Sequence, residues 1–178
     1  MSYQGMEDDI RLILAAGEEL AQYLSSPIIL WRVKHCNQPL SPGNLLLAIT
    51  RLKTINEIAV QHDEMNKVEK LIDTRRQAWE NRARQEIPLR LNQYRELVDE
   101  YLEQGAIDAS YRSNINTRVK LDLLFRSLAA EPYVEQRKAQ ELDRQLGALL
   151  PEGDFIWEPE LVTGFPKSIY AYLYVRKK

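Results

Sequence analysis

"AWENRARQEIPLRLNQYREL", residues 78–97, is the stretch whose reading decides the fold. A proline sits at its centre, and arginines interleave with aromatic residues along it. Proline inside a helix removes one hydrogen bond and often ends the helix. The apolar spacing tests that outcome. Ile72, Trp79, Ala83, Ile87, Leu91 (or Arg90), Tyr94, Leu97 and Tyr101 keep helical phase through position 88. A helix that stopped at Pro88 would have no reason to preserve that phase. The spacing therefore predicts a long helix over about 64–104, kinked at Pro88, where the Arg84 carbonyl loses its helical partner.

Working outward, no Gly or Pro interrupts the chain from Asn44 to Ile87. Unbroken from 44 to 104, the helix would be roughly 90 Å long at ~1.5 Å per residue, too long for a compact domain of this size. A break is expected at "QHDEMN", 61–66, where polarity rises and Asp63 can cap a new helix. "NLLLAITRLKTINEIAV" reads as a second helix over about 43–60. Ser41 is placed to cap it, and Pro42 suits its first turn. "EDDIRLILAAGEELAQYLSS" reads as a first helix, about 7–25. Its acidic start suits the positive end of the helix dipole. Its stripe runs through Ile10, Leu14 (with Ile13), Gly17, Leu20 with Ala21, and Leu24. Gly17 on that stripe implies close helix packing. Downstream, helices are expected over about 109–129 and 131–149.

Two short runs are β-branched and aromatic: "PIILWRVKHC" at 27–36 and "SIYAYLYVRKK" at the C-terminus. An extended edge needs its backbone groups paired, and "FIW" is the one other β-like run. We expect 28–34 to pair antiparallel with 169–175. The fold class is thus mainly α. It is a bundle of about five helices with one long Pro-kinked helix and a small antiparallel strand pair. A single domain, 1–178, is expected, with the non-helical segment 151–178 packing back on it.

Composition narrows the function classes. The 178 residues carry a net charge of −2, whereas a dedicated nucleic-acid binder more often carries a strongly basic domain. Hydrophobic residues at 44% and charged residues at 28% fit a globular chain. The single cysteine, Cys36, excludes an intramolecular disulfide and suits a reducing cytoplasm. Glu7, Asp8 and Asp9 stand where a signal peptide needs positive charge. No apolar run approaches the ~20 residues of a membrane span. The expectation is a soluble cytoplasmic protein.

Chemical motifs are sparse. His35, His62 and Cys36 are too few for a structural zinc site, and Ala59 stands where a di-iron motif would place Glu before His62. His35 and Cys36, neighbours in an expected strand, would point to opposite faces. No phosphate loop, dinucleotide fingerprint or nucleophile elbow is present. We therefore expect no catalytic, cofactor or metal residues.

The opening stretch remains as the candidate site. Six arginines (75, 76, 82, 84, 90, 95) face Glu80 and Glu86 between 75 and 95. As a binding surface, Trp79 and Tyr94 would stack on bases. As structure, those two aromatics lie on the apolar stripe, and the charges pair locally. Arg82, Glu86 and Arg90 stand at i, i+4, i+8, and Arg76 with Glu80 repeats the spacing. The structural reading is favoured, with Arg76, Trp79, Arg82, Glu86, Arg90 and Tyr94 as a candidate interaction or ion-pair ladder. The expected function is a non-enzymatic protein-interaction or scaffold module, working with a protein partner or by self-association. An RNA- or DNA-binding accessory protein using 75–95 is the alternative, and a small-molecule enzyme the third.

Overall fold

Helix α2 (Pro42–Ile55) starts where Ser41 and Pro42 predict. The Ser41 Oγ accepts from the Asn44 N–H at 3.3 Å, and the Ser41 carbonyl accepts from the Leu45 N–H at 2.9 Å. The computed structural model in which this is seen describes residues 3–55 and 59–176. It divides the chain into two compact units, 1–86 and 87–178.

The first unit holds α1 (Met6–Ser25), α2, α3 (Ala59–Thr74) and the first turns of α4 (Arg76–Gln104). Helix α1 packs against both α2 and α3. Its buried stripe is Leu12, Ile13, Ala16, Leu20, Tyr23 and Leu24, while Leu14 is 46% exposed. The real stripe is rotated by about a residue from the expected one, because Tyr23 and Ala16 are also buried. The acidic first turn is present, and Gly5 precedes it at φ 94, a left-handed conformation that favours glycine. Gly17 makes the expected close approach, since a Cβ there would meet the Glu64 carboxylate of α3.

Two expectations for this unit are corrected. The break at 61–66 is absent: those residues lie inside α3, and Asp63 is exposed within it. Helix α2 is described to Ile55 and α3 from Ala59, and residues 56–58 lie outside the described residues. The run 28–34 is not a strand of the sheet. It forms a single bridge, Trp31 with Leu40, through hydrogen bonds of 2.9 and 2.8 Å. The Tyr23 hydroxyl donates to the Ile29 carbonyl at 2.8 Å. Local partners satisfy part of this backbone without a distant strand.

The long helix continues through Pro88, as its apolar phase predicts. It is separated from α3 only at Arg75. There the Arg75 N–H still donates to the Leu71 carbonyl and the Trp79 N–H to the Arg75 carbonyl, both at 3.0 Å. The stretch expected over 109–129 likewise divides at Ile115 into α5 (Tyr111–Asn114) and α6 (Asn116–Arg126). These two divisions raise the expected five helices to seven among the described residues.

The second unit holds the rest of α4, then α5, α6, α7 (Tyr133–Gly147) and a C-terminal segment. In that segment β1 (Glu152–Phe155) pairs antiparallel with β2 (Tyr174–Val175), matching Glu152 to Val175 and Phe155 to Tyr174. This is the small antiparallel pair, with a different first strand from the one expected. The nearer run around Phe155 wins because its loop to Tyr174 is short to close. Residues 171–173 form a 3-10 turn instead of strand. At Gly153 a Cβ would strike the backbone of Val175 and Arg176, so glycine permits the pairing. Edge-to-face rings tie the segment together: Trp157 on Phe165 at 5.0 Å and Phe165 on Tyr170 at 5.2 Å. The Tyr111 hydroxyl donates to the Tyr172 carbonyl at 2.8 Å, and the Trp157 indole to the Arg112 carbonyl at 2.9 Å, fastening the segment to α5.

Candidate functional site

The residues of the opening stretch are placed as follows. Trp79 is fully buried in the core of the first unit, among residues such as Leu12, Leu20 and Val68. Tyr94 is fully buried in the second unit. Neither ring is open to stack on a base. Arg76 is exposed and pairs with Asp73 at 2.5 Å. Arg82 is buried, donates to the Gln85 amide oxygen at 2.6 Å and lies 5.9 Å from the Tyr23 ring centre. Arg90 is buried and donates to the Gln93 amide oxygen at 3.1 Å.

Glu86 has no exposure at all. Its carboxylate accepts from the Ser41 hydroxyl at 2.8 Å and from the Gly43 backbone N–H at 2.7 Å. A carboxylate from α4 thus sits on the positive end of α2. The i, i+4, i+8 spacing alone points Glu86 toward Arg82 and Arg90. Its role at Gly43 had no sequence signal, because it joins positions far apart in the chain.

The second unit contains a buried ionic cluster that the sequence reading missed. Arg118 of α6 is 5% exposed. It grips Asp143 of α7 with two parallel hydrogen bonds of 2.8 Å. Its Nη1 also lies 2.7 Å from Asp122, an ion pair at contact distance without hydrogen-bond alignment. The Tyr94 hydroxyl donates to Asp143 at 2.7 Å and the Tyr172 hydroxyl to Asp122 at 2.6 Å. The Tyr172 ring centre stands 5.0 Å from the guanidinium. Burial works against the Arg118 charge, but the Asp143 hydrogen bonds and the surrounding anions more than compensate, so its pKa lies above the usual value. Burial, then the Asp143 charge, pushes the Tyr94 phenol far above its ordinary range. Only the i,i+4 spacing of Arg118 and Asp122 was visible in the sequence. With all its charge directed inward, this cluster holds helices and offers no open cation to a ligand.

Sites for chemistry are few. Among the described residues no group of His, Cys, Asp and Glu could hold a metal ion, and no helix is long and apolar enough to cross a membrane. Burial, then the neighbouring Asp8 charge, pushes the Cys36 thiol up, which makes it a poor nucleophile. An apolar cleft of about 300 Å3 in the second unit is lined by Tyr111, Ile156 and Val175, with Arg112 and Arg176 at its edge. No histidine or cysteine lines it, and Arg112 is engaged by Glu158 at 2.8 Å.

The open surface of α7 is different in kind. Tyr133 is 68% exposed and Val134 62%. On one helical face with them stand Arg137, Lys138 and the Arg144–Glu141 pair, which closes at 2.7 Å. Arg137 and Lys138 are exposed and form no ion pair among the described residues. This face lines an open depression of about 480 Å3. The composition reading did not reach it, because "YVEQRK" looks like any solvated first turn.

No protein-family model matches the chain, no curated protein matches it, and no solved structure matches it.

Proposed function

We propose that this chain is a non-enzymatic interaction module that docks a protein partner on the open face of α7. The observation that carries the reading is Tyr133 and Val134, two large apolar side chains left in solvent beside the exposed cations Arg137 and Lys138, which form no ion pair among the described residues. Scattered exposed apolar residues are ordinary, but an aromatic and an aliphatic anchor side by side, rimmed by charge, match the make-up of binding surfaces. The cations select an acidic partner face. In this reading Arg76, Trp79, Arg82, Glu86, Arg90 and Tyr94 serve the fold. The burial of Trp79 and Tyr94 supports that and speaks against base stacking along 75–95. The lone cysteine supports work in the reducing cytoplasm.

A photo-reactive residue placed at position 134 tests this. We expect protein adducts that survive nuclease treatment and disappear in the Arg137→Glu/Lys138→Glu variant. Nuclease-sensitive adducts would point to nucleic acid instead, and adducts indifferent to the two cations would remove this face from the function.

A further inference from the structure

We infer that the partner of the α7 face is a second copy of this chain, docked through the acidic face of α4. The inference rests on the interaction reading above and adds the identity of the partner. Within the second unit, Glu96, Asp99, Glu100 and Glu103 are all exposed and stand at i, i+3, i+4 and i+7, one stripe of α4. Glu100 accepts from the Gln104 amide at 3.1 Å. Glu96, Asp99 and Glu103 form no ion pair among the described residues.

Two effects make this stripe unfavourable when uncovered. Like charges three and four residues apart on a helix repel. The stripe also approaches the negative end of the α4 dipole, and no basic residue stands in the last turn. A docked positive surface relieves both. Beside the stripe, Leu102 is 39% exposed, an apolar neighbour of Asp99. The α7 face carries the complement: Arg137 and Lys138 against the carboxylates, Tyr133 and Val134 against Leu102. The apolar anchors would supply most of the affinity, while the charges fix partner choice and register. The contact joins α7 of one copy to α4 of another, two different faces, and is therefore heterologous.

Sedimentation of the full chain at micromolar concentration decides this. We expect self-association at low salt with a dissociation constant that rises about tenfold toward ~0.5 M salt, where the Debye length is only a few ångströms. The exposed-site variants Arg137→Glu/Lys138→Glu and Glu96→Lys/Asp99→Lys/Glu103→Lys should each be monomeric, with wild-type circular dichroism. In the first variant both faces are acidic, and in the second both are basic. Mixed together, each α7 meets an α4 of opposite sign, so the mixture should recover the association. A wild-type chain that stays monomeric, charge variants that still associate, or a mixture that stays monomeric would each overturn the inference. Cation-dependent adducts from position 134 to a different protein, with a monomeric wild-type chain, would refute self-docking and keep the interaction reading. No adducts and no self-association would refute both.

Discussion

Glu86 of α4 accepts a hydrogen bond from the Gly43 backbone N–H at 2.7 Å, and so completes the start of α2. Pro42 has no N–H to satisfy, Gly43 donates to Glu86, and Asn44 donates to the Ser41 hydroxyl. Every early donor of α2 therefore has an acceptor, one of them supplied from 43 residues away. Removing that carboxylate leaves the Gly43 N–H and the Ser41 hydroxyl without it in a buried place. We expect Glu86→Ala to cost ~3 kcal/mol, and more than Glu80→Ala by over ~1 kcal/mol. Denaturant unfolding of the two variants measures the difference, and equal losses would refute the capping role.

The same contact predicts a coupling. A Cβ on Gly43 would stand 2.8 Å from Glu86 Oε1 and 3.2 Å from its Cδ. A buried carboxylate held by two hydrogen bonds yields poorly, so Gly43→Ala should destabilise by ~1–3 kcal/mol. In a Glu86→Ala background the methyl has room, and its cost should shrink by at least ~1 kcal/mol. Gly147→Ala serves as the control, since no atom would lie within 4 Å of the new Cβ. Additive losses in the double-mutant cycle would show that the two residues do not compete for that space.

Much of the helical framework was legible because periodicity is a local signal. The Trp79-to-Tyr101 stripe carried α4 across Pro88, and Ser41 with Pro42 marked the start of α2. The divisions at Arg75 and Ile115 were not legible, because hydrogen bonding hardly changes there. The first strand was misread for a related cause. "IILWRV" has strand composition, yet Leu40 and Tyr23 satisfy parts of its backbone locally. Asp143 and Glu86 were illegible as partners because nothing in the spacing of the chain links them to Arg118 or Gly43. The α7 face needed exposure values, which a sequence of mixed polarity does not contain.

Alkaline stability should report the buried tyrosines. The Tyr94 and Tyr172 phenols are both raised in the folded chain, chiefly by burial and next by a neighbouring aspartate. In the unfolded chain a tyrosine ionises near pH ~10. Above that pH the unfolded state releases protons that the folded state retains, so stability falls as pH rises. Their contribution is complete below ~10 and is lost progressively above it. Tyr94→Phe should flatten the alkaline limb of a stability–pH curve between about pH 9 and 11.5. An unchanged slope would mean that Tyr94 ionises in place.

The two aspartates that hold Arg118 set geometry against solvent screening. Asp143 has the more exposed side chain, at 29% against 16% for Asp122. Screening alone would therefore make Asp143 the weaker partner. Geometry argues the other way. Asp143 takes two parallel hydrogen bonds from Arg118 and a third from Tyr94, whereas Asp122 has an ion pair without hydrogen-bond alignment and one bond from Tyr172. Charge-assisted bidentate bonds are about twice as strong as neutral ones, and a buried guanidinium that loses one is left partly uncompensated. We expect Asp143→Asn to destabilise by ~2–3 kcal/mol and Asp122→Asn by ~1 kcal/mol. Arg118→Lys should resemble Asp143→Asn, because an ammonium cannot make the two-pronged contact. Urea unfolding of the three variants at neutral pH ranks them. If Asp122→Asn proved the costlier aspartate change, the strength of the cluster would reside in its drier ion pair, and not in the two-pronged grip of Asp143.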